Sequence, residues 1–287
     1  MNKSYVLGID MGGTNFRMGL VDDGFNVVKF EKLPVEEVLK SEDVIEDLSI
    51  CLRAFIEDLS IEAIAIGLPA PLDKQRRVVL QTPNLPNMNM LPLAELLSER
   101  MGIPTIMERD VNMIMCYDMS RYNIPPHGVA CGFYFGTGIG NAIFVEGKAY
   151  TGRNGAAGEL GHIPVDGCRE QCGCGNVGCM ENLAGGKFLK KNSLNFVENK
   201  AALNGFIDRM AQAVATELNI LDPDHVIIGG GVLELEEFPQ KFFVDRLLKR
   251  CRKPYPAENL NIIFAEEHPH KGVLGAAMYY KKTIVQQ

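Results

Sequence analysis

Three sulfurs and an imidazole lie close together in HIPVDGCREQCGCGNVGC, the string from His162 to Cys179. His162, Cys172, Cys174 and Cys179 make up the donor set of a closed tetrahedral zinc site, and the interleaved Gly173, Gly175 and Gly178 permit the turns that bring thiolates onto one ion. The C-x-C-x4-C spacing is not one of the common finger spacings, and Cys168 is available to replace any one ligand. The alternative is a loop of reduced thiols, which has little else to order it. With zinc bound, the stretch is a metal-stapled loop with no open coordination position. Asp110, in MERDVN, follows an apolar strand and precedes a helix. That placement suits a base that takes a hydroxyl proton as a phosphoryl group arrives, and it equally suits a helix N-cap.

Two glycine turns offer phosphate chemistry. DMGGTN carries Gly12, Gly13, Thr14 and Asn15 after Asp10, and GTGIG carries Gly136, Thr137, Gly138 and Gly140. Glycines let backbone amides approach phosphate oxygens closely, the threonine hydroxyls add donors, and Asp10 can hold Mg²⁺. The bland alternative is a pair of tight hairpin turns. A dinucleotide fingerprint does not fit, because Asn141 occupies its last glycine position and NAIFVEG alternates like a strand where a helix is required. No G-x-x-x-x-G-K-[ST] occurs.

The elements that must position these groups are legible from periodicity. Strands are expected over Tyr5–Ile9, Phe16–Val21, Asn26–Phe30, Ala63–Leu68 and Thr105–Met107. A helix capped by Ser41 carries Val44, Ile45, Leu48, Leu52, Phe55, Ile56 and Leu59 on one face, and Pro92–Met101 forms a second helix closed by Gly102. After Gly128 come strands at Val129–Phe135 and Asn141–Glu146, a helix over Ala201–Leu221, and strand His225–Ile228 running into Gly229, Gly230 and Gly231. A helix at Phe238–Arg250, a strand at Ile262–Ala265 and a final helix from Lys271 complete the chain. GIDMGGTNFRMGLV and FYFGTGIGNAIFVE share one plan, a strand, a Gly/Thr turn and a returning strand, and two such hairpins could clasp a ligand between domains. Met113, Met115 and Met119 read as core, and His268 and His270 as loop residues.

With 287 residues, 46% hydrophobic and 23% charged, the chain suits two α/β domains with separate cores. Its net charge of -7 disfavours nucleic acid, which selects a basic surface. The longest apolar run, Ile61–Leu72, is broken by Gly67, Pro69 and Pro71, so no membrane span is expected. MNKSYVLGIDMGG lacks the apolar core of a signal peptide, which points to the cytoplasm and to reduced side chains for Cys51, Cys116, Cys131, Cys168 and Cys251.

Taken together, DMGGTN, GLPAPLD, TPNLP, ERDVN, GTGIG, TGRNGAAGELGH, the cysteine cluster ending in CME, and LDPDHVIIGGGV resemble the ROK family of sugar kinases across essentially the whole chain. The resemblance implies a two-lobed, actin/hexokinase-like (ribonuclease H-like) α/β fold with a cleft between lobes and a zinc-stapled loop. It implies an N-terminal lobe over 1–117, completed by a C-terminal helix at 272–287, and a C-terminal lobe over 118–271. By that resemblance Asp10, Gly12, Gly13, Thr14 and Asn15 take the first phosphate loop and Mg²⁺, Gly136, Thr137, Gly138 and Gly140 the second, and Gly229, Gly230 and Gly231 receive the nucleoside part of ATP. Asp110 corresponds to the general base. Asn84, Arg109, Asp110, Glu159, His162 and Glu181 fall at sugar-contacting positions, with His162 serving zinc through one ring nitrogen and the sugar through the other.

One departure is informative. Many members read Asn-Asp-Ala-Asn around the base, whereas this chain has Arg109-Asp110-Val111-Asn112. The arginine puts glucose in doubt, and RDVN, TPNLP and TGRNGAAGELGHIP are most similar to the D-allose kinase subfamily. The implied activity is ATP-dependent phosphorylation of a hexose 6-hydroxyl, D-allose first, with glucokinase, fructokinase or N-acetylmannosamine kinase as alternatives and a homodimer as the assembly. Sugar-responsive repressors of the same family carry an N-terminal helix-turn-helix extension, for which a first strand at Tyr5 leaves no room.

Overall fold

A computed structural model of the chain describes residues 4–82, 85, 87–201 and 203–285, with 284 and 285 described by backbone alone. Strands β1 (Tyr5–Met11), β2 (Asn15–Val21) and β3 (Val27–Pro34) lead into the short α1 (Val35–Val38) and α2 (Val44–Ile56). Then come β4 (Ile61–Leu68), α3 (Leu93–Met101), β5 (Thr105–Arg109) and α4 (Asp110–Arg121). Three further strands follow, β6 (Val129–Phe135), β7 (Ile139–Val145) and the two-residue β8 (Lys148–Ala149). Helices α5 (Glu181–Ala184), α6 (Gly186–Lys191) and α7 (Asn204–Leu221) precede β9 (His225–Gly229), α8 (Gln240–Arg250), β10 (Ile262–Phe264) and α9 (Lys271–Tyr280). Among the described residues no helix is long and apolar enough to cross a membrane.

The chain forms two compact units. The first comprises Met1–Asn123, Thr151–Ala157 and His268–Gln287, and the second Ile124–Tyr150 and Gly158–Glu267. Each has one five-stranded sheet, ordered β3-β2-β1-β4-β5 in the first and β10-β9-β6-β7-β8 in the second. Read from the opposite edge, the second order is β8-β7-β6-β9-β10, so both units repeat one topology: an antiparallel three-strand meander followed by two parallel strands on the far side of its first strand. The likeness first visible in two glycine hairpins therefore extends through the whole sheet.

Each sheet buries its apolar residues under its own helices. Leu7, Ile9, Met18 and Leu20 pack with Leu48 and Leu52 of α2 in the first unit, and Phe133, Phe135 and Val226 with Met210, Val214 and Phe243 in the second. Met113, Met115 and Met119 are buried, as expected of core residues. Helix α2 is capped by Asp43 rather than Ser41. The Asp43 carboxylate accepts from Glu46 N–H at 3.0 Å, the three-residue reach that capping requires, while the Ser41 hydroxyl sits two residues further out and accepts from Asp43 N–H at 3.1 Å.

The final helix closes the first unit at glycine. A Cβ at Gly8 of β1 would collide with the Val273 carbonyl of α9, and one at Gly275 of α9 would collide with the Met113 carbonyl of α4. Backbone lies directly on backbone, so there is no side chain that can move aside. Gly275→Ala is expected to lower the unfolding free energy by about 1–3 kcal/mol through overpacking. Gly205→Ala, near the start of α7 where an added Cβ meets nothing within 4 Å, should be neutral or stabilising by up to about 1 kcal/mol. Urea unfolding of the two variants with unchanged slopes tests the contrast, and equal stabilities would refute it.

Candidate active site and metal centre

In the first unit the turn between β1 and β2 is Gly12, Gly13 and Thr14, closed by Gly12 N–H donating to the Asn15 carbonyl at 2.9 Å. Asp10 lies one residue before the strand's end, opposite Arg17 in the β1–β2 register, and Arg17 Nη1 donates to Asp10 Oδ2 at 2.9 Å. Burial raises the Asp10 carboxyl above the ordinary carboxylate range, and the Arg17 guanidinium opposes this only in part. A Cβ at Gly272 would stand 2.5 Å from the Asp10 carboxyl carbon, so the second residue of α9 is a glycine that makes room for this carboxylate. A buried oxygen ligand already held by a cationic group, beside a turn whose Gly13 and Thr14 are exposed, fits a hard divalent cation.

In the second unit the corresponding turn is tied down by its carbonyls. Gly186 N–H donates to the Gly136 carbonyl at 2.7 Å and Lys187 N–H to the Thr137 carbonyl at 2.9 Å, so the first amides of α6 are committed to holding the loop. The Glu181 carboxylate lies against Gly138, in the space where a Cβ would stand. Gly140 lies in β7, paired with Tyr134, and so belongs to the returning strand rather than the turn. Gly229 ends β9, and Gly230, at φ +98°, rests on the Phe135 backbone, where a Cβ would approach to 2.6 Å. Nothing stands within 4 Å of a Cβ at Gly231.

The four metal-ligand candidates converge. One ligand atom from each of His162, Cys172, Cys174 and Cys179 lies within 4.8 Å of the others. Cys172 Sγ is 3.5 Å from His162 Nδ1, and Cys174 Sγ is 3.6 Å from Cys179 Sγ. These separations match the edges of about 3.5–3.8 Å in a tetrahedron with Zn–S near 2.3 Å and Zn–N near 2.0–2.1 Å. Bridges Pro164↔Cys179 and Gln171↔Val177, with Cys172 N–H donating to the Asn176 carbonyl at 2.8 Å, fold the stretch so that the thiols face inward. Cys168 is not in the group, and its carbonyl packs against Gly178. Among the described residues all eight cysteines are unbridged.

The same cluster touches the sugar-contact candidates of its unit. His162 points Nδ1 toward the thiols and Nε2 toward Glu159, whose Oε2 lies 3.6 Å away. Glu181 Oε1 accepts from Cys172 Sγ at 3.1 Å and stands 3.8 Å from His162 Nδ1, while its other oxygen abuts Gly138. Glu181 therefore links the metal-ligand group to the second glycine turn within one unit.

Asp110 is the first residue of α4, not its cap. The N-cap is Arg109, whose side chain makes no capping bond, while Asp110 Oδ1 accepts from Val111 N–H at 2.7 Å. A Cβ at Gly67, near the end of β4, would lie 3.3 Å from Asp110 Cα, so the helix begins close against the sheet. Arg109 is buried, and its Nη1 donates to the Ala157 carbonyl at 2.5 Å. Asn84 lies outside the described residues. Sequence reasoning missed Glu108, although it opens the ERDVN string, and Arg76, which falls in none of the quoted motifs. Glu108 is fully buried near the end of β5 and forms a 3.0 Å ion pair with Arg76. The only sequence signal was an acid beside an arginine in an otherwise apolar strand.

A family model described as the ROK family matches residues 6–283. The chain belongs to the ROK family. This ROK protein is 26% identical to a glucokinase of Thermotoga maritima over 322 residues, covering 99% of each chain, and 27% identical to an N-acetylmannosamine kinase of Salmonella typhi, covering 95% of this chain and 97% of that one. It superposes with a TM-score of 0.77 on a solved ROK hexokinase from Thermus thermophilus, at 25% identity, covering 99% and 100% of the two chains. The α/β architecture of both units is thus that of ROK sugar kinases.

The Asp10–Arg17 pair generates a pH prediction. Arg17→Met leaves a carboxyl whose folded pKa is already above its unfolded value without its main opposing charge. A raised folded pKa gives stability that is present below the unfolded value, near 3.9, and lost as pH rises through the folded value. The variant is therefore expected to match the parent near pH 4 and to fall behind by about 1–3 kcal/mol at pH 7. Urea unfolding at both pH values measures this, and a deficit independent of pH would refute it.

Proposed function

We propose that this chain transfers the γ-phosphoryl group of Mg-ATP to the 6-hydroxyl of a hexose, D-allose before others, with Asp110 as the general base. That it is a sugar kinase follows from the family match and from kinase relatives spanning nearly its whole length. The observation that carries the mechanistic reading is the start of α4. Asp110 is the first residue of α4 rather than its N-cap, and it stands at the sheet end, where a catalytic group is held rigidly.

In this reading the first unit supplies Asp10 and the amides of Gly12, Gly13, Thr14 and Asn15 for Mg²⁺ and phosphate, and Asp110 for the proton. Mg²⁺ held by these residues would supply charge neutralisation for the phosphates. The second unit supplies amides of the 136–138 turn and the surface around Gly229, Gly230 and Gly231 for the nucleotide. Glu159, His162 and Glu181 orient sugar hydroxyls. Asp110 accepts the proton of the 6-hydroxyl as its oxygen attacks, and ADP leaves. With zinc on Nδ1 of His162, Nε2 carries the hydrogen and faces the Glu159 side, which fixes the tautomer for hydrogen bonding to substrate. The allose preference rests on Arg109. A buried guanidinium beside the base, where an uncharged amide is common, changes which hydroxyl orientation leaves a polar group unpaired. The glucokinase and N-acetylmannosamine kinase relatives favour two competing substrates.

ADP release measured across D-allose, glucose, mannose, fructose and the N-acetylated hexosamines is expected to give the highest kcat/KM with D-allose. Asp110→Asn should bind the sugar normally and lose about 10²–10⁴-fold in kcat. Equal rates for parent and variant would remove the base assignment, and a higher kcat/KM for glucose would remove the allose preference.

We also propose that the thiol cluster holds structural zinc. Metal analysis of purified protein is expected to find about one zinc per chain. Chelation or Cys174→Ser should lower thermal stability and raise the KM for sugar together, because His162 belongs to both sites. Protein free of zinc, yet stable and active, would refute the staple.

A further inference from the structure

Glu108, the last residue but one of β5, has its carboxylate fully buried, and it receives four donors. Arg109 N–H donates at 2.8 Å, the Asn112 side-chain amide at 3.1 Å, Arg76 Nε at 3.0 Å and the Tyr279 hydroxyl at 2.7 Å. A carboxylate offers about four acceptor sites, so this one is saturated. One donor is the N-cap amide of α4, a second comes from the first turn of that helix, and a third from the last turn of α9. The fourth, Arg76, sends Nη1 on to the Gly155 carbonyl at 2.9 Å, while Arg109 Nη1 reaches the Ala157 carbonyl at 2.5 Å. One buried charge thus fixes the start of the helix that carries Asp110 and also, through an arginine, the segment Thr151–Ala157 of the same unit.

The N-cap Arg109 has no side-chain capping bond, and the Glu108 carboxylate, one residue upstream, accepts from the N-cap's own N–H and from the Asn112 side chain of the first turn. We propose that Glu108 is a positioning residue for Asp110: it sets the direction of the first turn of α4, and with it the placement of the Asp110 carboxylate, while anchoring residues 151–157 through Arg76. This rests on the reading of Asp110 as the base. Glutamine has the same shape but must turn an NH₂ toward donors that need an acceptor, so it cannot reproduce the arrangement. A base displaced by about 1 Å loses up to about a hundredfold in rate.

The test is a double-mutant cycle on the full-length protein with its hexose and ATP. Glu108→Gln is expected to lower kcat by about tenfold to a hundredfold while the KM for ATP stays within about twofold. In the Asp110→Asn background the same change should lower kcat by less than about twofold, because its effect passes through a group already disabled. Tyr279→Phe removes one donor, keeps the charge, and should show the same kcat-selective loss at about two- to fivefold, so it carries the test if Glu108→Gln does not fold. Equal losses in both backgrounds, or a folded Glu108→Gln or Tyr279→Phe protein with parental kcat, would overturn the proposal. Failure of the kinase reading looks different: the parent releases no sugar-dependent ADP, or Asp110→Asn turns over at the parental rate. Hydrogen exchange then decides the positioning role. Faster exchange confined to the first turn of α4 and to 151–157 in Glu108→Gln or Tyr279→Phe upholds it, and unchanged exchange overturns it.

Discussion

The contact of α9 with β1 and α4 is the constraint on which the first unit depends. Two carbonyls, of Val273 and Met113, lie where Gly8 and Gly275 have no side chains, and any larger residue would push the helix off the sheet. Because α9 is held at that distance, Gly272 can rest on the Asp10 carboxyl and Tyr279 can reach Glu108. Lys271, at the start of the same helix, forms a buried 3.0 Å ion pair with Asp118 of α4. A ten-residue helix from the far end of the chain therefore meets three acidic groups of the first unit, which explains why residues 268–287 belong to that unit and not to the one that precedes them in sequence.

The second unit solves a different problem. Residues 150–180 contain one short 3-10 turn and isolated bridges but no long element, so they have little periodic apolar surface with which to bury themselves. What holds them is a set of directional contacts: thiols converging with His162, bridges at Pro164 and Gln171, and Glu181 set between Cys172 and Gly138. Disturbance of the thiol cluster must then reach the second glycine turn through Glu181, since the carboxylate that accepts from Cys172 also fills the space beside Gly138.

Much of this was legible in the sequence, and what was not has a common cause. Periodicity found every strand of both sheets except the two-residue β8, usually short by one or two residues, because strands such as β1 run on through Asp10, where alternation of apolar residues has already stopped. The four metal-ligand candidates were found from residue type, since three thiols in eight residues are rarely there for packing alone. Capping was less legible. Ser41 and Asp43 both satisfy the residue preference, and only the three-residue reach to Glu46 distinguishes them. Glu108 stands in the ERDVN string, but its role was not legible there, because Arg76 and Tyr279 come from distant positions and only tertiary structure brings them to it. Arg109 drew attention as a departure from the family pattern, yet one of its bonds, to the Ala157 carbonyl, ties down a distant segment.

Three of the first unit's ion pairs bear on how its charge is arranged. Asp118 with Lys271 and Glu108 with Arg76 are largely withdrawn from water, whereas Asp10 with Arg17 is only half-buried. Buried pairs of this kind add little net stability, since desolvation of each ion offsets most of the attraction, but removing one partner is costly. Their effect is geometric. Each pair admits one arrangement of the elements that carry it, so β1 to β2, β5 to the 73–79 turn, and α4 to α9 are each fixed by charge as well as by packing. A chain with a net charge of -7 can therefore hold a polyanion without a basic surface, provided that backbone amides of its glycine turns face the ligand and nearby carboxylates are neutralised within the fold. Of these pairs only Asp10–Arg17 adjoins a glycine turn, and there burial raises the carboxyl's pKa while the Arg17 guanidinium opposes the rise.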